Sequence, residues 1–373
     1  MDRTVEDPRD YRFDLPEDLL VQEPPEALGG ERSDARLAVL GRHTGQVEHR
    51  RFGEIVEYLG ADDVLVLNNA RVVPTFLDGE HEHGRTVVVS VHSPRDDGTW
   101  HCHIAPAAAC RPGARFRIGP HHEVTCSLIA ETVPGLWHIA LDPSDPDTLY
   151  RLAEPAYSRY LKQPPADPES FQNVYASRPG AVGFPAAGRH FTPVLLDRLR
   201  SRGTAVAEVT LFLATRTHYD VRHRFRDLID AGGTGDLEAE NEFDVSPATD
   251  TFDFPPPERF EITTQAADTI NERRARGGRI IVCGTSVMRT LETAADPDGR
   301  LPATTGFTRL RITPGHRFRA CDAFMTNFHD PCTSELVLTA AFTGREHLMN
   351  AYRHEVIPRR YRFNYYGDSM LII

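Results

Sequence analysis

The stretch from Pro179 to Gly203, PGAVGFPAAGRHFTPVLLDRLRSRG, carries the densest chemical signal in the chain. Its Gly, Ala and Pro residues let a backbone lie close against a ligand, and Arg189, His190 and Thr192 follow at once. An imidazole at a helix start suits proton transfer, because its ordinary pKa lies near neutrality. His329 is a second such group: with Asn327 it follows the apolar run AFMTNF, at the carboxyl end where open α/β sheets bind ligands. The unit RIIVCGTSVMRTLE reads as strand, turn and helix. Gly284 permits the sharp turn, Thr285 or Ser286 is expected to cap the helix, and freed N–H groups at such an end attract anions. Arg289, one turn in, has reach for a carboxylate, a surface pair with Glu292 being the plain alternative. Asn68 and Arg71 end another buried run, LVLNNARVV.

These groups need a frame. Five short alternating segments, RTVVVSVHS, TWHCHIA, ARFRIG, EVTCSLIAE and GLWHIALD, predict a small antiparallel barrel or sandwich between about Thr75 and Asp145. A Tyr- and Pro-rich connector follows. Beyond it, apolar strands alternate with helices, which implies a mostly parallel sheet covered on both faces. Thr192 is the expected N-cap of a helix with Pro193 at its first position and Gly203 at its end. Strands are predicted at TAVAEVTLFLA, RIIVCG, TRLRI and ACDAFMTNF, and helices at ITTQAADTINERRARGG, TSVMRTLETAA, TSELVLTAAF and EHLMNAYRHEV. The acidic, turn-rich run DAGGTGDLEAENEFDVSPATDTFDFPPPE is expected to be a surface loop.

Composition narrows the field. With 373 residues, 40% apolar and 26% charged, the chain reads as an ordinary globular protein, long enough for one large and one small domain. No run approaches the ~18 apolar residues of a membrane span, and the acidic N-terminus lacks a secretory signal pattern. Six scattered cysteines without a C-x-x-C pair suit a reducing cytoplasm. The HCH element at His101 and His103, with His121 and His122 nearby, reads as surface histidines, so no metal is expected. Walker, G-x-G-x-x-G and G-x-S-x-G motifs are absent. The net charge of −12, with Lys nearly absent, permits nucleic acid at local Arg patches without indicating it.

The blocks FDLPEDLLVQ, SDARLAVL, DVLVLNNARVVP, FQNVYA, GAVGFPAAGRHFT, GTSVMRTLE, PGHRFRACDAFMTNFH and YRFNYYGDSML run in order along the chain. Together they resemble the S-adenosylmethionine:tRNA ribosyltransferase-isomerase family of queuosine biosynthesis. The resemblance implies a discontinuous α/β domain, residues 1–74 and 146–373, interrupted by a β-barrel at 75–145. It also implies a reaction in which S-adenosylmethionine, as co-substrate, gives its ribosyl part to the aminomethyl group of a 7-deazaguanine in tRNA. Adenine and methionine leave, and no metal takes part.

Laid over these positions, His190, His329 and Asp368 are the expected catalytic groups. Asn68, Arg71, Thr285, Ser286, Arg289 and Asn327 would surround S-adenosylmethionine, with Arg289 and the helix end on its carboxylate. Arg189, Thr192, Arg216 and Tyr366 would face the second substrate. Several positions depart from the family pattern. Ala186 and Arg189 replace a Thr and a Leu, Arg216 and His218 fall where the family has a glycine-rich turn, and Cys332 replaces a Lys. Lost basic residues weaken the expected grip on tRNA phosphates. The alternative reading is a paralogue that acts on S-adenosylmethionine alone or with a small acceptor, without tRNA.

Overall fold

A computed structural model describes residues 7–95, 97–133, 135–155, 157, 161, 164–214, 224, 227–228, 230–233 and 257–373. The frame is a mixed sheet of nine strands among these residues. Their spatial order is Thr304–Thr308, Glu258–Ile262, Ala205–Leu211, Val64–Asn68, Ile280–Cys283, Ala323–Asn327, Ser369–Ile372, Arg36–Leu40 and Val47–Arg51. The four strands from Ala205–Leu211 to Ala323–Asn327 are mutually parallel. Ser369–Ile372 and Arg36–Leu40 form a further parallel pair, and antiparallel pairs complete a sheet that is mixed yet keeps the parallel character expected from the sequence. Val64–Asn68 and Ile280–Cys283 are buried along their whole length, as uninterrupted apolar strands covered on both sides must be.

Each sheet face has its own core. Val287, Met288 and Leu291 of the Thr285–Ala294 helix pack on one side, with Leu336 and Val337 of Ser334–Thr343 and Ile270 of Thr264–Ala275. Leu195, Leu196 and Leu199 of Pro193–Ser201 pack on the other, with Phe52 and Ile55 of a short 3-10 helix. Thr192 caps that helix as expected, its side chain accepting from Leu195 N at 3.1 Å. Gly203 ends it at φ +96, a conformation that side-chain-bearing residues rarely adopt.

The second body is a closed antiparallel barrel of Leu136–Asp142, Trp100–Ala105, Thr86–Pro94, Phe76–His81, Arg115–Ile118 and Val124–Val133. It lies in the chain between the sheet strands Val64–Asn68 and Ala205–Leu211. Trp100, Cys102, Val89, Val91, Trp137 and Ile139 fill its interior. By the two-residue alternation of strands, His101, His103 and His138 face outward. The sequence places His101 and His103 on the surface; they are buried instead, 8% and 4% exposed. That outer wall packs against the rest of the protein, with Phe307 6.1 Å from the His101 ring.

TRLRI is not a strand; the pairing residues are Thr304–Thr308, set by register with Glu258–Ile262. The acidic run from Asp230 onward falls mostly outside the described residues, as do Arg216 and His218. Among the described residues, no helix is long and apolar enough to cross a membrane.

Candidate active site at the carboxyl edge of the sheet

The connector after the barrel folds back over the carboxyl ends of the central strands. Gln172 pins it by copying a strand partner: its amide donates to Val72 O and accepts from Val72 N, at 2.9 and 3.0 Å. Asn173 donates to Pro185 O at 3.0 Å. Arg178–Ala181 pairs in parallel with Ala70–Val72. These ties bring the turn Ala186–Gly188 against the start of the Thr285–Ala294 helix. Gly284 there has φ +92, and a Cβ on it would lie 3.3 Å from the Ala187 methyl. A Cβ on Gly188 would lie 1.6 Å from the Tyr175 hydroxyl, so only glycine fits. The small-residue cradle is a fact of close packing.

His190 emerges from this turn, 1% exposed, its ring 4.9 Å from that of Phe52. Its Nε2 lies 3.1 Å from Asn327 Oδ1, while Asn327 Nδ2 donates to Asn364 O at 3.3 Å. With the Asn327 amide so oriented, Nε2 carries the proton and Nδ1 presents a lone pair. Nδ1 makes no well-formed hydrogen bond. Burial, and then the Arg189 charge, push the His190 pKa down to about 4, with Asn327, Asp368 and the Arg32 carbonyl pulling weakly the other way. The imidazole is therefore neutral at physiological pH.

Asn68 is equally fixed. Its Nδ2 donates to Leu211 O at 3.0 Å and to Ser286 Oγ at 3.2 Å, and its Oδ1 accepts from Ala70 N and Leu211 N. Thus His190 joins Asn327, and Asn68 joins Ser286, all at the same sheet edge. No side chain caps the Thr285–Ala294 helix; Gly284 holds the cap position in place of the expected Thr285 or Ser286, leaving the first N–H groups to a ligand or solvent.

Other expected residues are engaged elsewhere. His329 Nε2 lies 2.8 Å from Thr326 Oγ1. Thr326 precedes Asn327 and so points to the opposite sheet face, which separates the two imidazoles. Arg289 pairs with the fully buried Glu258 and donates to Leu310 O at 3.1 Å, leaving Nη2 buried and unpartnered. Glu292, its expected surface partner, is buried and accepts from Arg319 N and Ala320 N. Asp368 accepts from Arg36 N and Arg362 N, both at 2.8 Å, and from the Arg36 guanidinium, tying the last strand to its neighbour.

Arg189, 0% exposed, donates to Glu26 at 2.9 and 2.8 Å, and its guanidinium lies 4.6 Å above the Tyr366 ring. Tyr366 Oη reaches Ser170 Oγ at 3.3 Å. The Thr192 hydroxyl is used by its helix cap. Arg71 is half-exposed at the edge and pairs with Glu169.

Sequence reasoning missed Glu26, Glu258 and Tyr175. Their signal is purely spatial: each faces an Arg or a Gly distant in the chain. Among the described residues, the one group of His and acidic side chains close enough to share a metal is His81, Glu82 and His83, on a barrel turn away from this edge.

A two-body α/β protein with a neutral, buried imidazole at the carboxyl edge of its sheet has the layout of a ligand-transforming enzyme. The chain matches the family described as "Queuosine biosynthesis protein" over residues 8–228 and 250–372. It is 35% identical over 370 residues to an S-adenosylmethionine:tRNA ribosyltransferase-isomerase of Trichlorobacter lovleyi, covering 98% of this chain and 99% of the relative. A relative of the same name from Symbiobacterium thermophilum is 35% identical over 372 residues, again 98% and 99% covered. The crystal structure of S-adenosylmethionine tRNA ribosyltransferase from Thermotoga maritima is similar, with TM-score 0.52 and 29% identity over 98% of this chain and 100% of that one. The chain belongs to the queuosine biosynthesis protein family.

Proposed function

We propose that this protein is an S-adenosylmethionine-dependent ribosyltransferase-isomerase. It moves the ribosyl part of S-adenosylmethionine to the aminomethyl group of 7-aminomethyl-7-deazaguanine in tRNA, with release of adenine and methionine. Kinship over 98% of the chain to enzymes of that name carries the reading. His190 gives it a chemical centre.

The reaction needs a base for a proton beside the sulfonium, an acid for the departing adenine and a site that excludes water. His190 Nδ1 is the base, neutral at working pH and pre-oriented through Nε2 by Asn327. Once protonated in so dry a place it becomes a strong acid, suited to return the proton to the leaving adenine. The uncapped helix start at Thr285 and Ser286 attracts the methionine carboxylate. Arg289 acts there through its unpartnered Nη2. Asn68 holds Ser286 in place, and Arg71 at the rim meets an RNA phosphate on leaving Glu169. His329 and Asp368 support the strand ends that carry Asn327 and Tyr366. No metal is needed for these steps, and the cytoplasm suits six unpaired cysteines.

The test is release of adenine and methionine from S-adenosylmethionine, with and without tRNA bearing the aminomethyl base. Release should require that tRNA. His190→Gln should lower kcat at least a hundredfold while leaving S-adenosylmethionine affinity within a few-fold. Turnover independent of tRNA would overturn the assignment, and equal losses of affinity and kcat would remove His190 as the base.

A further inference from the structure

The hairpin that joins the barrel strands Phe76–His81 and Thr86–Pro94 carries the run EHEHG at its tip, two histidines with one acid between them. Backbone bonds set its shape: His81 N donates to Arg85 O and Gly84 N to His81 O, both at 2.8 Å. Gly84 completes the reversal at φ +75, a conformation that suits glycine. In a continuous strand Glu82 would point away from the two imidazoles. The chain turns at Glu82 and His83 instead, and the turn gathers all three side chains. One ligand atom from each of His81, Glu82 and His83 lies within 4.8 Å of the other two.

The three donors differ in freedom. His81 is 8% exposed, its ring centred 5.5 Å from that of Phe116, its partner on the neighbouring strand. Its Nδ1 accepts from His83 N at 3.3 Å, so the neutral ring keeps its proton on Nε2 and directs its lone pair into the turn. Glu82 and His83 are open, their side chains 48% and 68% exposed. A tetrahedral ion with bonds of about 2.0–2.1 Å needs donors about 3.3 Å apart. Rotating the two open side chains closes that gap, with His81 as the fixed anchor. Two imidazoles and one carboxylate are a donor set for borderline ions of the zinc type. Hard cations need several oxygens, and Arg85 and Arg111 put positive charge near His81, which disfavours an ion held by charge alone.

We infer that the tip of this hairpin binds one divalent ion of the Zn²⁺ class, ligated by His81, Glu82 and His83, with water completing the shell. The ion braces the barrel and takes no part in the reaction proposed above. Asp78 of the same hairpin accepts from Arg224 at 2.6 and 2.5 Å, so pinning the tip steadies a strand that also holds a residue from beyond the barrel.

Zinc chloride and cobalt(II) chloride, added to the untagged full-length protein, are the probes. Calorimetry should find one saturable zinc site per chain. His83→Ala should weaken it at least about tenfold, and Glu82→Gln should weaken it several-fold. Both positions are open, so the metal-free melting temperature should stay at the wild-type value and adenine release at the wild-type rate. Cobalt(II) should give the intense visible bands of a four-coordinate ion, without the near-ultraviolet thiolate band of a cysteine site. Zinc should also slow hydrogen exchange at the turn amides of the wild type. Zinc affinity unchanged in both variants would overturn the inference. So would a thiolate band, unaltered exchange at the turn, or no saturable binding in submillimolar zinc. The enzymatic assignment is decided separately, by the tRNA-dependent assay.

Discussion

Arg189 and His190 are chain neighbours with opposite tasks. The guanidinium is locked between Glu26 and the face of Tyr366, and its charge helps keep the imidazole unprotonated. A His whose folded pKa, about 4, lies below its ordinary 6.5 makes folding oppose protonation. Below about pH 6.5 the unfolded chain takes up a proton that the native state refuses, so stability falls as pH drops toward 4 and is level above that window. Arg189→Leu, which restores the residue of the family pattern, removes a positive neighbour. It should raise the His190 pKa and move the acid limb of the kcat–pH profile upward. An unmoved limb would show that burial alone sets the titration. Glu26 loses its buried partner in this variant, so urea unfolding should register a parallel loss of stability, roughly 1–3 kcal/mol.

At the scale of elements, the turn Ala186–Gly188 positions the imidazole, and contact with Tyr175 fixes the turn. Gly188→Ala would drive a methyl into the Tyr175 hydroxyl, costing roughly 1–3 kcal/mol and displacing His190. Turnover should fall at least tenfold. Adding Tyr175→Phe removes the nearest clashing atom and should restore part of the activity; a double variant no better than the single would locate the damage elsewhere.

The sequence made much of this layer legible. Five barrel strands and the capped helix at Thr192 follow from alternation and end signals that are local. The sixth barrel strand, Phe76–His81, escaped because FLDGEH lacks clear alternation. Its Gly79 is demanded by a distant neighbour, since a Cβ there would lie 2.2 Å from Arg117 O. The same reason hid Glu258 and Glu26. A buried carboxylate announces itself only through the arginine it meets, and Arg289, with Glu292 as its expected protein partner, pairs with Glu258 instead. His329, placed by chain order beside Asn327, turns to the other face through the simple alternation of a strand.

Over the whole molecule the net charge is −12, and several exposed guanidinium groups face acids. Arg178 pairs with Glu261 and Arg71 with Glu169 near the proposed site, and Arg345 and Arg360 pair with Asp10 and Asp18. An excess of acids over bases disfavours phosphate contacts, so RNA recognition here should lean on the base rather than the backbone. The logarithm of tRNA affinity against the logarithm of salt should then have a slope shallower than about −3, the mark of few displaced counterions. A much steeper dependence, measured by filter binding, would reveal a basic tract that these pairs conceal.

The strand Ser369–Ile372 lies inside the sheet, between Ala323–Asn327 and Arg36–Leu40. Arg36–Leu40 and its hairpin partner Val47–Arg51 therefore enter the sheet ladder through residues made more than three hundred positions later. During synthesis that early hairpin waits with one edge open, a template for wrong pairing. Its successful capture is a closing event that links the birth of the far end of the chain to the solubility of the near one.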